Sequence, residues 1–396
     1  GNEDCLRGIR GHCCHRHDRD LHDGPVSAAV ALIRFVASPF GWLVVFERST
    51  SRMECGLIGL QGVGKTTLFQ ALTAHAVPVQ VGSMKPNIGI AAMPDPRLER
   101  IAEFIPPEKV IPATVQVVDI PGVPSGGGAS SLNQVLSHIR NVDAIVHVVN
   151  CWGEQDAASD IASMEAELIL ADLVVAEGAV DKAARATRSG DADAKKRLSV
   201  LERVQELLSD ERPVRSGDWD EGERAILKSY GFMSAKPVLL VANVGEDDVE
   251  GQSEAAKAVQ AADVNTVTVC ATIESEISEM ESADRADMLA SMGIERPAIG
   301  VLAAAMNEVL GLSTFYTAGE KEVRAWPIPR EASAPDAAGT IHSDIQRGFI
   351  RAECYHCDDL FEFKSEKAIK EAGKLRSEGK GYAMQDGDVV HFLFNV

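Results

Sequence analysis

The chain has 396 residues, 45% of them hydrophobic and 25% charged, with a formal net charge of −20. That length accommodates two or three domains around a well-buried main core, and the composition is that of a globular protein. The acidic balance excludes a whole-surface electrostatic grip on nucleic acid and leaves only a local basic face, while eight cysteines without disulfide-rich spacing place the expected compartment in the reducing cytoplasm.

Residues 1–52 differ from the rest of the chain. They contain Arg7, Arg10, Arg16, Arg19, Arg34, Arg48 and Arg52 but no lysine, and they hold Cys5, Cys13, Cys14, His12, His15, His17 and His22. The apolar run Pro25 to Phe46 is interrupted by Arg34 and Pro39, so no membrane span is expected. The preferred reading is an atypical, non-native or wrongly assigned extension, with Met53 as the start. A disordered or targeting tail and a Cys/His metal site are the alternatives.

From Met53 the pattern is orderly. Glu54 to Leu60 reads as a short buried strand and Lys65 to Ala76 as a helix. A proline-dotted region comes next, containing GSMKPN and MPDPRLERIAEFI. TVQVVDI at Thr114 to Ile120, AIVHVVN at Ala144 to Asn150, PVLLVAN at Pro237 to Asn243 and TVTVC at Thr266 to Cys270 are further strands. Buried β-branched strands alternating with helical stretches predict an α/β fold, a mostly parallel sheet covered by helices on both faces. Between the strands, residues 161–208 carry apolar seams at helical spacing, broken near Arg188 to Asp193. A helical hairpin is the expectation, because a connection this long needs structure of its own. It is either two surface helices or an arm for a partner. A second, α+β domain is expected over 313–396, after a main domain of 53–312. Its strands are read in EVRAWPI, GFIRAECY and DVVHFLFNV, with a Lys-rich helix over Glu366 to Leu375.

Between the first strand and helix, Gly59-Leu-Gln-Gly-Val-Gly64-Lys65-Thr66 satisfies GxxxxGK[ST] in the context that the chemistry requires. The amides of Gln61, Gly62, Val63, Gly64 and Lys65 can surround a β-phosphate, and the helix end at Thr66 and Thr67 adds dipole and unpaired donors. Lys65 can reach β and γ oxygens, and Thr66 can place its hydroxyl on Mg2+. Asp119 ends a strand and opens DIPG, where it can hold the Mg2+ water shell, and the Gly122 amide can sense the γ-phosphate. Ser83 is the candidate first-switch contact to the metal. Lys65, Thr66 and Gly122 are thus the catalytic candidates, and Thr66, Ser83 and Asp119 the metal ligands. Val123 stands where many GTPases place a water-positioning glutamine, and valine cannot orient water by a hydrogen bond. Hydrolysis is therefore expected to be slow, or to depend on backbone groups, a bound ion or a partner.

Base choice rests on Asn243-Val244-Gly245-Glu246, where a GTPase of this layout carries NKxD. Val244 for lysine and Glu246 for aspartate both weaken a guanine reading, and adenine can use Asn243 and backbone groups. Cys270, Ala271 and Thr272 form the expected last base-side loop. ATP is favoured over GTP.

These elements in this order resemble the YchF/Obg-like ATPase family, over nearly everything from Met53 to Val396. PDPRLERIAEFIPPEK, NVGED, FYTAGEKEVRAW, AAGTIHSDIQRGFIRAE and QDGDVVHFLFNV carry the likeness. The resemblance implies a P-loop, OBG-type domain with a coiled-coil insertion and a C-terminal TGS domain. It also implies ribosome association and a part in translation or stress responses. By the same resemblance, NVGE is the family's adenine-specificity element and Val123 its hydrophobic replacement for the catalytic glutamine. This chain departs from the family at Gly62, where an asparagine able to coordinate a monovalent cation is usual, and at Ser83, where threonine is usual. It also lacks the family's switch lysines and, in the turn after Asn150, a histidine proposed to assist hydrolysis. His147, inside a strand pattern, is read as packed.

Three functions stay open at this point. One is an Mg2+-dependent ATPase switch acting on a ribosomal partner; the second is a GTPase of the same fold. The third is a ribosome-binding regulatory protein with negligible turnover. Cys354 and Cys357 form a lone CxxC beside His356, read as ordinary cysteines before a redox or zinc pair. Lys364, Lys367, Lys370, Lys374, Arg376 and Lys380, interleaved with glutamates, form either a solvated face or a local RNA contact.

Overall fold

Short apolar strands with helices packed on both faces build the first sheet. The computed structural model describes residues 53–80, 83–122, 129–153, 156–187, 192–262, 264–292, 294 and 297–395. Residues 1–52, with their apolar run and Cys/His cluster, lie outside the described residues. In chain order come β1 (Glu54–Ile58), α1 (Lys65–Leu72), β2 (Asn87–Met93), α2 (Pro96–Phe104), β3 (Lys109–Ile111), β4 (Ala113–Asp119), α3 (Ala129–Asn141) and β5 (Ala144–Asn150). After an insertion, β6 (Val238–Asn243) follows α4 (Ala157–Ala186), α5 (Ala192–Ser209) and α6 (Glu221–Tyr230). Then come α7 (Glu254–Gln260), β7 (Asn265–Val269), α8 (Ala271–Glu279), α9 (Ser282–Ser291) and α10 (Ala298–Val309).

The sheet order is β2-β4-β1-β5-β6-β7. Only β2 runs antiparallel to its neighbour, as the mostly parallel expectation requires. Alternate residues serve the two layers. Leu57, Val146 and Val148 pack under Leu68 and Phe69 of α1 and Leu302 of α10; Ile58 and Ile145 pack under Val135 and Ile139 of α3. Helix α1 is shorter than predicted. Thr73 turns its Oγ1 onto the Phe69 carbonyl at 2.8 Å, and Ala74 and His75 take positive φ, 46° and 55°, which no helix continues through.

The predicted hairpin is α4 and α5. Ala176, Ala179 and Ala183 present a small-residue face to Val200, Leu201, Val204 and Leu208, all buried. Its break at 188–191 lies outside the described residues. The arm is pinned by Asp172, whose buried carboxylate accepts from Met233 N (3.0 Å), Ser234 N (2.7 Å) and Ser234 Oγ (2.7 Å).

The remaining elements are β8 (Leu312–Ala318), β9 (Glu322–Pro329), α11 (Ala334–Ile341), α12 (Ser343–Arg347), β10 (Phe349–His356), α13 (Cys357–Phe363), α14 (Glu366–Glu371), β11 (Arg376–Glu378) and β12 (Asp388–Phe394). Their sheet runs β11-β10-β12-β8-β9-β3. Strand β3, contributed from between α2 and β4, pairs in parallel with β9 from Lys109↔Glu322 to Ile111↔Arg324. A polar clamp joins the two sheets: Asp95 caps α2 and bonds Arg97, Arg97 Nη1 reaches Asp386 at 2.6 Å, and the Tyr316 hydroxyl donates to Asp95. Beyond it, buried Asp388 accepts from Arg376 Nη2, Tyr382 OH and Gln385 N at 2.8, 2.8 and 3.0 Å.

Cys354 and Cys357 are both buried and free, but they pack into different clusters, Cys354 with Phe315 and Phe392, Cys357 with Leu360 and Ile369. Three residues apart at the end of a strand, they face opposite sides. His356 caps α13, its Nδ1 accepting from Asp358 N at 3.2 Å while Nε2–H donates to the Asp386 carbonyl at 3.0 Å. Within the basic stretch, Lys367 pairs with Glu371 and Lys374 with Asp359. Among the described residues no helix is long and apolar enough to cross a membrane.

Candidate nucleotide-binding site

The carboxyl ends of β1, β4, β5, β6 and β7 converge, and the loops leaving them form the site. That is where an open parallel sheet accepts a ligand. The loop from Gly59 to Gly64 leaves β1 and enters α1, with Gly62 at φ 86° and Gly64 at φ 89°. A side chain at Gly64 would be strained by that φ and would also strike Asn243 Nδ2. Gln61 and Gly62 are exposed and Val63 is buried, while Gly64 and Thr67 are partly covered.

Lys65 starts α1 with its ammonium folded over the loop, donating to the Gly59 and Leu60 carbonyls at 3.1 and 2.7 Å. Burial pulls its pKa down to about 8, against the opposing pull of Asp119. The cation is thus held dry by neutral carbonyl dipoles, and an anionic phosphate would restore its full basicity. Gly122 packs on the same loop: a Cβ built there would lie 2.9 Å from Lys65 Nζ and 2.9 Å from Gln61 Cα. Only glycine lets the DIPG turn approach this closely. Val123 and the glycine-rich 124–128 lie outside the described residues.

One step along the helix, Thr66 Oγ1 donates to Asp119 Oδ2 at 2.9 Å, and Asn87 Nδ2 donates to the same oxygen at 3.0 Å. Among the described residues Asp119 Oδ1 accepts no hydrogen bond. Burial raises the Asp119 pKa, and Asn87, Thr66 and Lys65 only partly oppose it. This donor set fits Mg2+. A threonine hydroxyl that gives its one proton to Asp119 keeps its lone pairs for a cation, and the under-neutralised carboxylate keeps a free oxygen for the cation's water shell. Ser83 lies in a turn, its Oγ accepting from Lys85 N at 3.0 Å. Asn87, at the other end of GSMKPN, is the residue that reaches Asp119, and sequence reasoning missed it.

On the base side, Asn243 bridges two loops. Its Nδ2 donates to the Val63 carbonyl at 2.9 Å, and its Oδ1 accepts from Ala271 N at 2.9 Å, which leaves the second amide proton for a ligand. Val244 continues the ladder through its N–H to Val269 O (2.9 Å), its side chain buried in an apolar cluster with Ala256 and Ile273. Glu246 and Thr272 are exposed. Cys270 caps α8, its thiol pKa raised by burial and by nearby Glu246. Trp152 was also missed. Its ring carbon Cη2 lies 3.7 Å from a Cβ built on Gly64, its own Cβ lies 3.6 Å from one built on Gly245, and the residue is 38% exposed. A tryptophan placed directly after a buried strand, in the turn that follows it, was the available signal. His147 is buried in β5; burial, with Lys65 adding to it, lowers its pKa to about 4 and keeps the imidazole neutral.

The chain is similar to known proteins. A family model described as a 50S ribosome-binding GTPase matches residues 54–177, and a model for the C-terminal part of YchF GTPases, described as a protein of unknown function, matches 312–395. The Ribosome-binding ATPase YchF of Haemophilus ducreyi is 43% identical over 360 residues, spanning 87% of this chain and 99% of the relative. The protein of that name from Bacillus subtilis is 39% identical over 364 residues, spanning 87% and 100%. The solved structure of the Schizosaccharomyces pombe YchF GTPase superposes with a TM-score of 0.76 at 27% identity, covering 87% of this chain and 99% of that one.

Proposed function

The chain belongs to the YchF family, and from that premise we propose that it is an Mg2+-dependent ATPase switch that works on the ribosome. Ribosome binding and ATP are what the relatives' names state, and the local site supports both a nucleotide and a switch. The observation that carries the reading is the chain of contacts from Thr66 through Asp119 to Asn87. It ties the phosphate loop to the first residue of β2, whose far end leads into α2 and its clamp on the second sheet.

In this reading the amides of Gln61 to Lys65 and the Lys65 ammonium hold the phosphates, and Gly122 senses the γ-phosphate. Mg2+, held by the Thr66 hydroxyl and through water by Asp119, would neutralise charge on the phosphate oxygens. Ser83 joins it from the first switch. Asn243, Ala271 and the Cys270–Thr272 turn seat the base, Trp152 offers a flat apolar face beside it, and Glu246 with buried Val244 replaces the pair that selects guanine. With valine at 123, turnover is slow until a partner completes the site. Residues 53–312, which lend β3 to the second sheet, form the nucleotide module and 313–396 the second module, whose basic stretch contacts RNA locally.

The test is competition of labelled ATP, with Mg2+, by ATP and by GTP, using Lys65→Ala as control. Displacement by ATP at far lower concentration than GTP supports the reading. Equal displacement, or an advantage for GTP, sinks the adenine assignment and leaves a GTPase of the same fold.

A further inference from the structure

A second cleft lies at the opposite end of the first sheet. It holds about 540 Å³ and is lined by Met53, Asp143 and Pro237, each directly before the first residue of β1, β5 or β6, and by the root of the helical arm. The nucleotide loops leave the other ends of those strands. The six residues of β6 alone separate the two regions by roughly 20 Å at about 3.3 Å per residue.

Its walls divide by chemistry. Trp219, Leu227, Phe232, Pro237 and Leu310 give an apolar floor, and Asp143 is the one acidic residue among the lining side chains against four cations. Not all four are available. Arg215 is bound to Glu165 at 2.6 Å, and Lys236 donates to the Arg140 carbonyl at 3.1 Å and to the Val142 carbonyl. Asp143 Oδ2 is itself engaged by Glu54 N at 2.9 Å. Arg224 and Lys228 remain. They stand one turn apart on α6, with Leu227 between them and Gly231 below, so a single face of that helix enters the cleft. Arg224 is oriented by its Nε–H bond to the Trp219 carbonyl at 2.9 Å, and its terminal fork has no hydrogen-bond partner among the described residues. Neither it nor Lys228 is paired with a carboxylate among the described residues. In a chain carrying −20, two unpaired cations over an aromatic and aliphatic floor are a local reversal of the surface charge.

We propose that this cleft binds a small organic anion, an aromatic or branched apolar body bearing one carboxylate, phosphate or sulfonate. The volume suits a metabolite-sized molecule. The guanidinium fork and the ammonium one turn away take the anionic group, and the floor takes the body.

The probe is 8-anilinonaphthalene-1-sulfonate, titrated by fluorescence into the full chain without and with saturating Mg2+ and ATP. One saturable equivalent is expected, undisturbed by nucleotide. Arg224→Glu with Lys228→Glu should weaken it by about tenfold or more. Neutral N-phenyl-1-naphthylamine should bind less tightly and be indifferent to the charge reversal. Non-saturable fluorescence, displacement of the probe by ATP, or equal affinity in the charge-reversed protein overturns the proposal. If circular dichroism shows the reversed protein unfolded, Arg224→Gln with Lys228→Gln reads the same loss in smaller degree, and no loss there is equally fatal.

Discussion

Asp119 and Asp388 are both buried carboxylates at the end of an interior strand, and they are kept in opposite ways. Asp388 is saturated. A guanidinium, a phenol and an amide fill both its oxygens, and nothing remains for a ligand. Asp119 receives two neutral donors on one oxygen, while the nearest cation, Lys65, is turned onto carbonyls instead. A carboxylate that holds a fold together is neutralised by the fold. One that serves a ligand is left short of positive charge, at some cost in stability.

The contrast can be broken by mutation. The largest expected effect is on binding: Lys65→Ala should weaken Mg2+–ATP by about 100-fold or more through loss of charge-assisted phosphate contacts. Its apo melting temperature should hold or rise, because a buried, depressed lysine is removed. A clear fall in stability would mean that Lys65 is structural. Next comes Asp388→Asn, which should destabilise the protein by about 2 kcal/mol by chemical denaturation, a figure discounted for the partial exposure of Arg376. ATP affinity should not move. Asp119→Asn should do the reverse, changing stability by less than about 1 kcal/mol while the Mg2+ dependence of binding is lost. Equal destabilisation by the two would erase the distinction.

A smaller effect should appear with pH. The free-state pKa of Lys65 is about 8, and bound phosphate raises it. Above that pH, binding must therefore take up a proton, and affinity should fall by at most about tenfold per unit. Isothermal titration between pH 7 and 9.5 should show the slope in the native protein and none in Lys65→Ala. Smallest of all, Asn87→Ala should cost about threefold to tenfold in affinity, the net worth of one ordinary intramolecular hydrogen bond. No change would cut Asn87 out of the switch.

Much of this was legible in the sequence where chemistry is local. The phosphate loop and DIPG each compress into a few residues, and buried parallel strands announce themselves as β-branched runs, which is why β5 falls where expected, at Ala144–Asn150. What escaped was either masked by proline or distant in sequence. NIGIAAM alternates exposed and buried positions as an edge strand should, but the prolines on either side suggested a loop. Asp95-Pro96 was in fact a helix start, the Asp95 side chain accepting from Arg97 N with proline in the first turn. Asn87 was overlooked because its partner lies 32 residues away. Nothing local distinguishes Val110 in β3 from a loop residue, since what makes it a strand is Val323.

That last pairing has a consequence during synthesis. Lys109 emerges roughly 210 residues before its partner Glu322, so at ordinary elongation rates of about 5–20 residues per second its edge waits roughly 10 to 40 s for a neighbour. The nucleotide half can collapse in that interval, yet one strand of the later sheet is already threaded into it. The C-terminal half is therefore completed on a template that the N-terminal half presents. A shortened chain ending before Glu322 would carry an unfinished edge, open to pairing with another copy.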